Sequence, residues 1–168
     1  MADGHKTPTE LVDYIIKVGI DKATKPLFKL MLLGIFGGAF IALGGAGNII
    51  SSSTLVKTDP GFAKFLGAAV FPVGLILVVT LGAELFTSNC LLSVAFVNKK
   101  ISFTQMIRNL VTVYLFNYVG SFIVAYITVK GGSFNADSLA YLQNIATHKV
   151  DASAYALFIK GILCNVLV

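Results

Sequence analysis

Apolar and polar positions fall along the chain in blocks. From Pro8 to Leu27, residues Leu11, Tyr14, Ile15 and Val18 recur at helical spacing against Glu10, Asp13, Lys17, Asp21 and Lys22. That pattern predicts an amphipathic helix over 8–27 lying in a membrane interface, with Thr9 as candidate N-cap and Pro26 as candidate stop. Leu30 to Val56 carries no charged residue and closes on Ser51, Ser52, Ser53 and Thr54, long enough to span a bilayer with some tilt. Its Gly34, Gly37, Gly38, Gly44, Gly45 and Gly47, with Ala39, Ala42 and Ala46, leave one helix face without bulk, so a neighbouring helix packs closely there. Ordinary bundle packing is the first reading of that face.

After Asp59, Pro60 and Gly61 a second apolar run extends from Phe65 to Ala83, is interrupted by the segment Glu84 to Asn89, and resumes from Cys90 to Val97. Those 33 residues are too many for one straight crossing and too few for two. An unbroken helix from Phe65 carries Glu84 about 29 Å along, near the far interface, yet the chain stays apolar through Val97. A discontinuous helix resolves the mismatch. The break is predicted to be non-helical over Glu84 to Asn89 and enclosed by protein, where side chains, water or substrate satisfy the freed backbone groups. A charge at mid-membrane costs about 2.5–3.5 kcal/mol on insertion scales, so Glu84 is expected to accept hydrogen bonds at the break and not to face lipid.

Ile101 to Arg108 reads as a short amphipathic connection, and the third span as about Asn109 to Val129, with Gly120 and an interhelical hydrogen bond from Asn117 in its interior. Lys130 to Lys149 is polar, and Ala152 to Val168 begins a fourth apolar run carrying Lys160 and Asn165. The abrupt end in Val-Leu-Val leads us to expect a longer functional polypeptide than these 168 residues.

Composition turns these runs into a class. With 56% hydrophobic and 12% charged residues and a mean hydropathy of +0.83, the chain departs from the roughly 25% charged residues of soluble domains. It is expected to be an all-α integral membrane protein with room for roughly four or five spans in one domain. The net charge of +5 does not point to nucleic acid, because the basic residues sit between apolar runs and form no aromatic-interleaved stripe. They report topology instead. Lys6, Lys17, Lys22, Lys25 and Lys29 are separated by an even number of crossings from Lys99, Lys100 and Arg108, whereas the sparser Lys57, Lys64, Lys130 and Lys149 fall on the other side. The positive-inside rule then places the N-terminus in the cytoplasm. The first 29 residues lack the apolar core of a signal peptide. Cys90 and Cys164 lie in apolar stretches without metal-ligand spacing and read as small core residues, so neither metal nor cofactor is expected. No Ser/His, His/Glu or paired-carboxylate set occurs within the spans, which argues against an intramembrane enzyme.

At Gly82-Ala83-Glu84-Leu85-Phe86-Thr87-Ser88-Asn89 the chain resembles the formate/nitrite transporter family, whose members carry a Gly-Ala-Glu/Asp-Leu-Phe-Thr signature at the break of the second span. The approach from Gly74 to Val79, the pair Arg108-Asn109 and the segment Gly161 to Asn165 extend the likeness over about Pro8 to Val168. The resemblance implies six spans in two inverted repeats forming an aquaporin-like bundle, five protomers in a ring, and a pore for small monovalent anions in each protomer. The present stretch holds the first repeat and the start of the second. By motif, Leu75, Leu85 and Phe86 match the apolar constrictions, Thr87 and Ser88 the substrate-facing loop, Asn165 and Lys149 the pore or vestibule of the fourth span, and Glu84 the support of the break. The family's central histidine, on the second broken helix, has no counterpart in this stretch, and neither His5 nor His148 takes that role.

Physical readings stand beside these implied roles. A half-helix starting after Ser88 would point its positive end and free N–H groups into the membrane interior, where an anion is met without a full cationic charge. Leu and Phe side chains would exclude hydrated ions. Leu75, Leu85 and Phe86 also read as ordinary core or lipid-facing residues, and Thr87 as a helix cap. On a continuous helix Lys149 lies about 20° from Lys160 but about 160° from Asn165, which puts Lys149 on the segment leading into the fourth helix, over the extracytoplasmic mouth. Lys160 departs from the family pattern, with snorkelling and an oligomer interface as its two readings. Passage of a weak-acid anion such as formate, nitrite or hydrosulfide is the leading expectation. A neutral-solute pore of the aquaporin kind, here without an Asn-Pro-Ala motif, and a non-transporting scaffold are the alternatives.

Overall fold

The computed structural model describes residues 7–167; residues 1–6 and 168, which include His5 and Lys6, lie outside the described residues. Helix α1 (Pro8–Thr24) is started by Thr7, not Thr9. The Thr7 hydroxyl accepts from the Glu10 amide at 3.3 Å while the Glu10 carboxylate accepts from the Thr7 amide at 2.8 Å, a reciprocal capping box with Pro8 at the first helical position. The Thr7 amide and the Thr7 hydroxyl, each donating to the Glu10 carboxylate at 2.8 Å, hold that carboxyl below its ordinary range. The helix ends before Pro26, where α2 (Leu27–Ser52) begins.

The 3₁₀ turn Leu55–Lys57 follows, and then α3 (Pro60–Val70), capped by the Asp59 carboxylate, which accepts from Phe62 N at 2.9 Å. Helix α4 (Pro72–Leu81) continues it as one apolar span of 22 residues. Pro72 has no N–H for the ladder and kinks the span. Gly82, at φ +66°, closes α4: its N–H and that of Ala83 both return to the Val78 carbonyl, the latter at 3.0 Å.

The break is shorter than the sequence pattern predicts and lies earlier, over residues 82–85. Phe86 to Asn89 is a helical turn, α5 (Phe86–Asn89), running through a tightened turn into α6 (Leu92–Val97). Ser88 and Asn89 are polar, but their neighbourhood satisfies them within helical geometry: Ser88 Oγ donates to Leu85 O at 3.0 Å, and Asn89 is fully buried in a side-chain network. The half-helix therefore starts at Phe86 and not after Ser88. Its N-cap is Leu85, which has no capping side chain, so Thr87 is not the cap.

The expected connection over 101–108 is largely helix. Ser102 and Gln105 form a capping box that starts α7 (Phe103–Lys130) six residues earlier than the apolar pattern indicates. Beyond it lie α8 (Ala136–Val150), capped by Asn135, and α9 (Ala154–Leu167). Three of these elements, residues 27–52, 60–81 and 103–130, are long and apolar enough to cross a bilayer, and the chain is an all-α membrane protein.

Helix α2 is the centre of the bundle and packs most extensively on α7, then on α3 and α4. Its glycines explain the closeness. A Cβ at Gly38 would run into the backbone of Asn117 in α7, and one at Gly120 of α7 would run into the Ile35 carbonyl. On the other flank, a Cβ at Gly44 would lie 2.5 Å from the Phe71 carbonyl at the kink. The glycine-bearing helix thus contacts two neighbours of its own chain through different faces. Helix α1 packs across α6, Gly19 against Ala95, with Ala23, Leu92, Ala95 and Ile101 forming a small buried cluster.

Candidate functional site

The break is held from two sides by buried polar groups. On the α1 side, Glu84 is a buried carboxylate whose Oε2 accepts from Lys22 Nζ at 2.7 Å, with Lys25 Nζ 3.4 Å from Oε1. Lys22 Nζ also donates to Asn89 Oδ1 at 2.7 Å; Asn89 Nδ2 donates to Asn109 Oδ1 at 2.8 Å; and Asn109 Nδ2 donates to the Lys22 carbonyl at 2.8 Å. The loop of donors and acceptors joins α1, the half-helix and α7. Arg108 completes it by donating to the Ala23 and Lys25 carbonyls at 2.8 and 3.0 Å, where the last turn of α1 leaves carbonyls without intrahelical donors. Lys25 also pairs with Asp21, which holds the Asp21 carboxyl below its ordinary range.

On the α7 side, Asn117 reaches the backbone of the break. Its Nδ2 donates to Glu84 O at 2.8 Å and to Gly34 O at 2.7 Å, and its Oδ1 accepts from Phe86 N at 2.9 Å. The Glu84 amide in turn donates to Leu33 O at 3.1 Å. Among the described residues no buried side-chain polar atom is left without a partner, as a polar break inside an apolar span requires.

Two cavities flank the half-helix. One, of about 210 Å³, is lined by Ile41, Phe71, Leu75, Leu85, Phe86, Thr87, Asn117 and Cys164. Nearly all its wall is apolar, and the Phe86 ring is steadied edge-on by Tyr114 at 5.3 Å. The other, of about 410 Å³, lies between α1 and the half-helix and exposes Lys22 and Ser88.

Residues 9–168 match the family model described as formate/nitrite transporter. The chain belongs to the formate/nitrite transporter family. It is 41% identical over 165 residues to a Haemophilus influenzae protein named formate channel FocA, covering 96% of this chain and 58% of that one. It is 39% identical over 166 residues to the Bacillus thuringiensis protein named formate channel BtFdhC, covering 98% and 64%. A more distant Entamoeba histolytica protein named formate-nitrite transporter is 30% identical over 171 residues, covering 100% and 48%. The chain spans about three fifths of the length of the two bacterial relatives.

Within this family member the structure brings Leu75, Leu85, Phe86 and Thr87 to one cavity. It puts Ser88, one residue on, at the other. Leu75 is part-exposed and Leu85 buried. Asn165 is exposed, donates to Gly161 O of its own helix at 2.9 Å and borders a separate cleft, while its neighbour Cys164 lines the first cavity. Lys149 lies exposed in the last turn of α8, a helix that ends before Ser153, so Lys149 and Asn165 occupy different helices. Lys160 is exposed on α9.

Sequence reasoning did not find the partners of Glu84. Lys22 counts as a polar-face residue of α1 in the periodic pattern, but it turns inward, beside the buried Gly19 and Ala23. The contacts that Asn89, Asn109 and Arg108 make with α1 were equally hidden. Their one visible signal is the presence of amide and cationic side chains at the ends of apolar runs, where each needs a partner.

Proposed function

We propose that the complete protein passes small monovalent weak-acid anions, formate, nitrite or hydrosulfide, through a pore within each protomer of a homopentamer in the cell (inner) membrane. The observation that carries this reading is the cavity at the break. It gathers Leu75, Leu85, Phe86 and Thr87, an apolar restriction with one hydroxyl, beside a helix interrupted within a span. The amides of Thr87 and Ser88 belong to the first turn of the half-helix, whose N–H groups have no intrahelical acceptors. A hydrated ion meets apolar walls, whereas a small anion that sheds water is compensated in part by the Thr87 hydroxyl and these amides. Among the described residues no cation lines this cavity, which keeps binding weak enough for release. Lys22 lines the second cavity with its charge balanced by Glu84. The names of the bacterial relatives favour formate among the three anions.

The same reading puts the N-terminus and the Lys99-Lys100 pair on the cytoplasmic side, by the excess of Lys and Arg there. It also makes Glu84 a support of the break, Asn165 a pore residue of the completed protomer, and Lys149 a vestibule charge that steers anions over about 10 Å at 0.1 M salt.

Anion flux into liposomes holding the complete polypeptide tests the proposal. Phe86→Ala should admit larger anions, Thr87→Val should slow flux with assembly intact, and Lys149→Ala should weaken anion capture mainly at low ionic strength. Normal assembly with unchanged rates and anion preferences in all three variants would leave a non-transporting scaffold as the better reading.

A further inference from the structure

A helix that restarts inside a membrane must satisfy its first amide and the last carbonyl before it, and Leu85, at the N-cap position, has no side chain able to do so. Asn117 supplies both, from a helix 31 positions further along the chain. Gly34 O and Glu84 O only accept and Phe86 N only donates, so one orientation of the Asn117 amide fits all three. Glu84 and Phe86 flank Leu85, whose backbone is extended at φ −116° and ψ 139°. The amide thus clamps the chain on both sides of the residue that turns it into the cavity.

The clamp depends on missing side chains in α2. A Cβ at Gly37 would run into the Glu84 carbonyl and lie 3.2 Å from Asn117 Nδ2. One turn earlier on α7, Tyr114 meets the Phe86 ring edge-on. The same helix therefore holds Phe86 by its backbone N–H and by its ring.

We infer that Asn117 is the positioning residue of the constriction: its side-chain amide, bridging Gly34 O, Glu84 O and Phe86 N, sets how far the Phe86 ring projects and hence which anion sizes pass. This rests on the proposed pathway. A residue serving only as interhelical glue would change the amount of assembled protein and leave selectivity alone.

The test is the ratio of acetate to formate flux in liposomes holding the complete polypeptide. Asn117→Asp keeps the size but cannot donate, and Asn117→Ser is too short to bridge. Either should raise the ratio about tenfold, the scale on which a pocket distinguishes substrates differing by one carbon. Added to Phe86→Ala, either should raise it little further, because both act through one ring. If Phe86→Ala alone leaves the ratio unchanged, the pathway reading falls and this inference with it. If Phe86→Ala raises the ratio and the Asn117 variants do not, or if the effects multiply independently, Asn117 does not position Phe86 and only the inference is overturned. Should neither Asn117 variant assemble, amide exchange on the parent protein decides. The Phe86 amide should exchange at least about tenfold more slowly than those of Thr87 and Ser88, and equal rates would overturn the clamp.

Discussion

Replacing Lys22 by methionine leaves the Glu84 carboxylate buried, its side chain 3% exposed, with Lys25 at 3.4 Å as its remaining cation. Removing one partner of a buried pair costs about 3–5 kcal/mol. The residual Lys25 contact puts Lys22→Met near the lower end, about 3 kcal/mol, and the lost donor to Asn89 adds about 1 kcal/mol. At about 2–4 °C per kcal/mol for a domain of this size, the melting temperature falls by about 8–16 °C. Glu84→Gln is expected to do less harm, because the Lys22 and Lys25 side chains are 19% and 15% exposed and their ammonium groups can reach water. The double variant removes charge from both sides and should melt above Lys22→Met alone. Thermal aggregation of the detergent-purified complete protein, read by size-exclusion chromatography, gives the four values of the cycle. A double variant that melts lower, by the sum of the two single losses, would refute the coupling of α1 to the break through this pair.

Other expectations follow from the backbone. Gly38→Ala should cost about 1–3 kcal/mol, because the new Cβ meets main-chain atoms of Asn117 that cannot step aside, whereas Gly45→Ala, with nothing within 4 Å, should be neutral or stabilising; thermal melts of the pair check the contrast. Gly82→Ala should cost about 1–2 kcal/mol, since φ is +66° where α4 ends, and a melting temperature equal to the parent's would contradict this. The lowered pKa of Glu10 means that its capping contribution is complete above the ordinary glutamate range and is lost as pH falls through the lowered value, so hydrogen exchange in the first turn of α1 should accelerate, after correction for intrinsic rates, only in acid.

The existence of the break was legible because an arithmetic of lengths exposed it: 33 residues fit neither one crossing nor two. Its exact limits were not. Polarity marks Glu84 to Asn89 as one unit, but Gly82 in the left-handed region ends the helix before it, and the Asn117 bridge restarts it at Phe86. Those causes are a backbone angle and a side chain from another helix, neither of which periodicity reports. Ser102 and Gln105, by contrast, carry a capping-box signal that could have moved the start of the third span, and Asn135 marks the start of α8 in a segment read only as polar. The glycines of α2 announced close packing, yet assigning Gly38 to α7 and Gly44 to the kink required the fold. Lys22 shows the limit most plainly, since its partner lies 62 positions away.

If the cavity at the break is the proposed anion path, Cys164 offers a direct probe, because it lines that cavity with Phe86 and Thr87. In the complete polypeptide, with Cys90→Ser and no other cysteine, a small anionic methanethiosulfonate reagent forms a mixed disulfide at Cys164 Sγ. Formate flux into liposomes should fall with the extent of labelling, recover on reduction, and be protected by excess formate during labelling. Full labelling of Cys164 with flux unchanged would contradict the account.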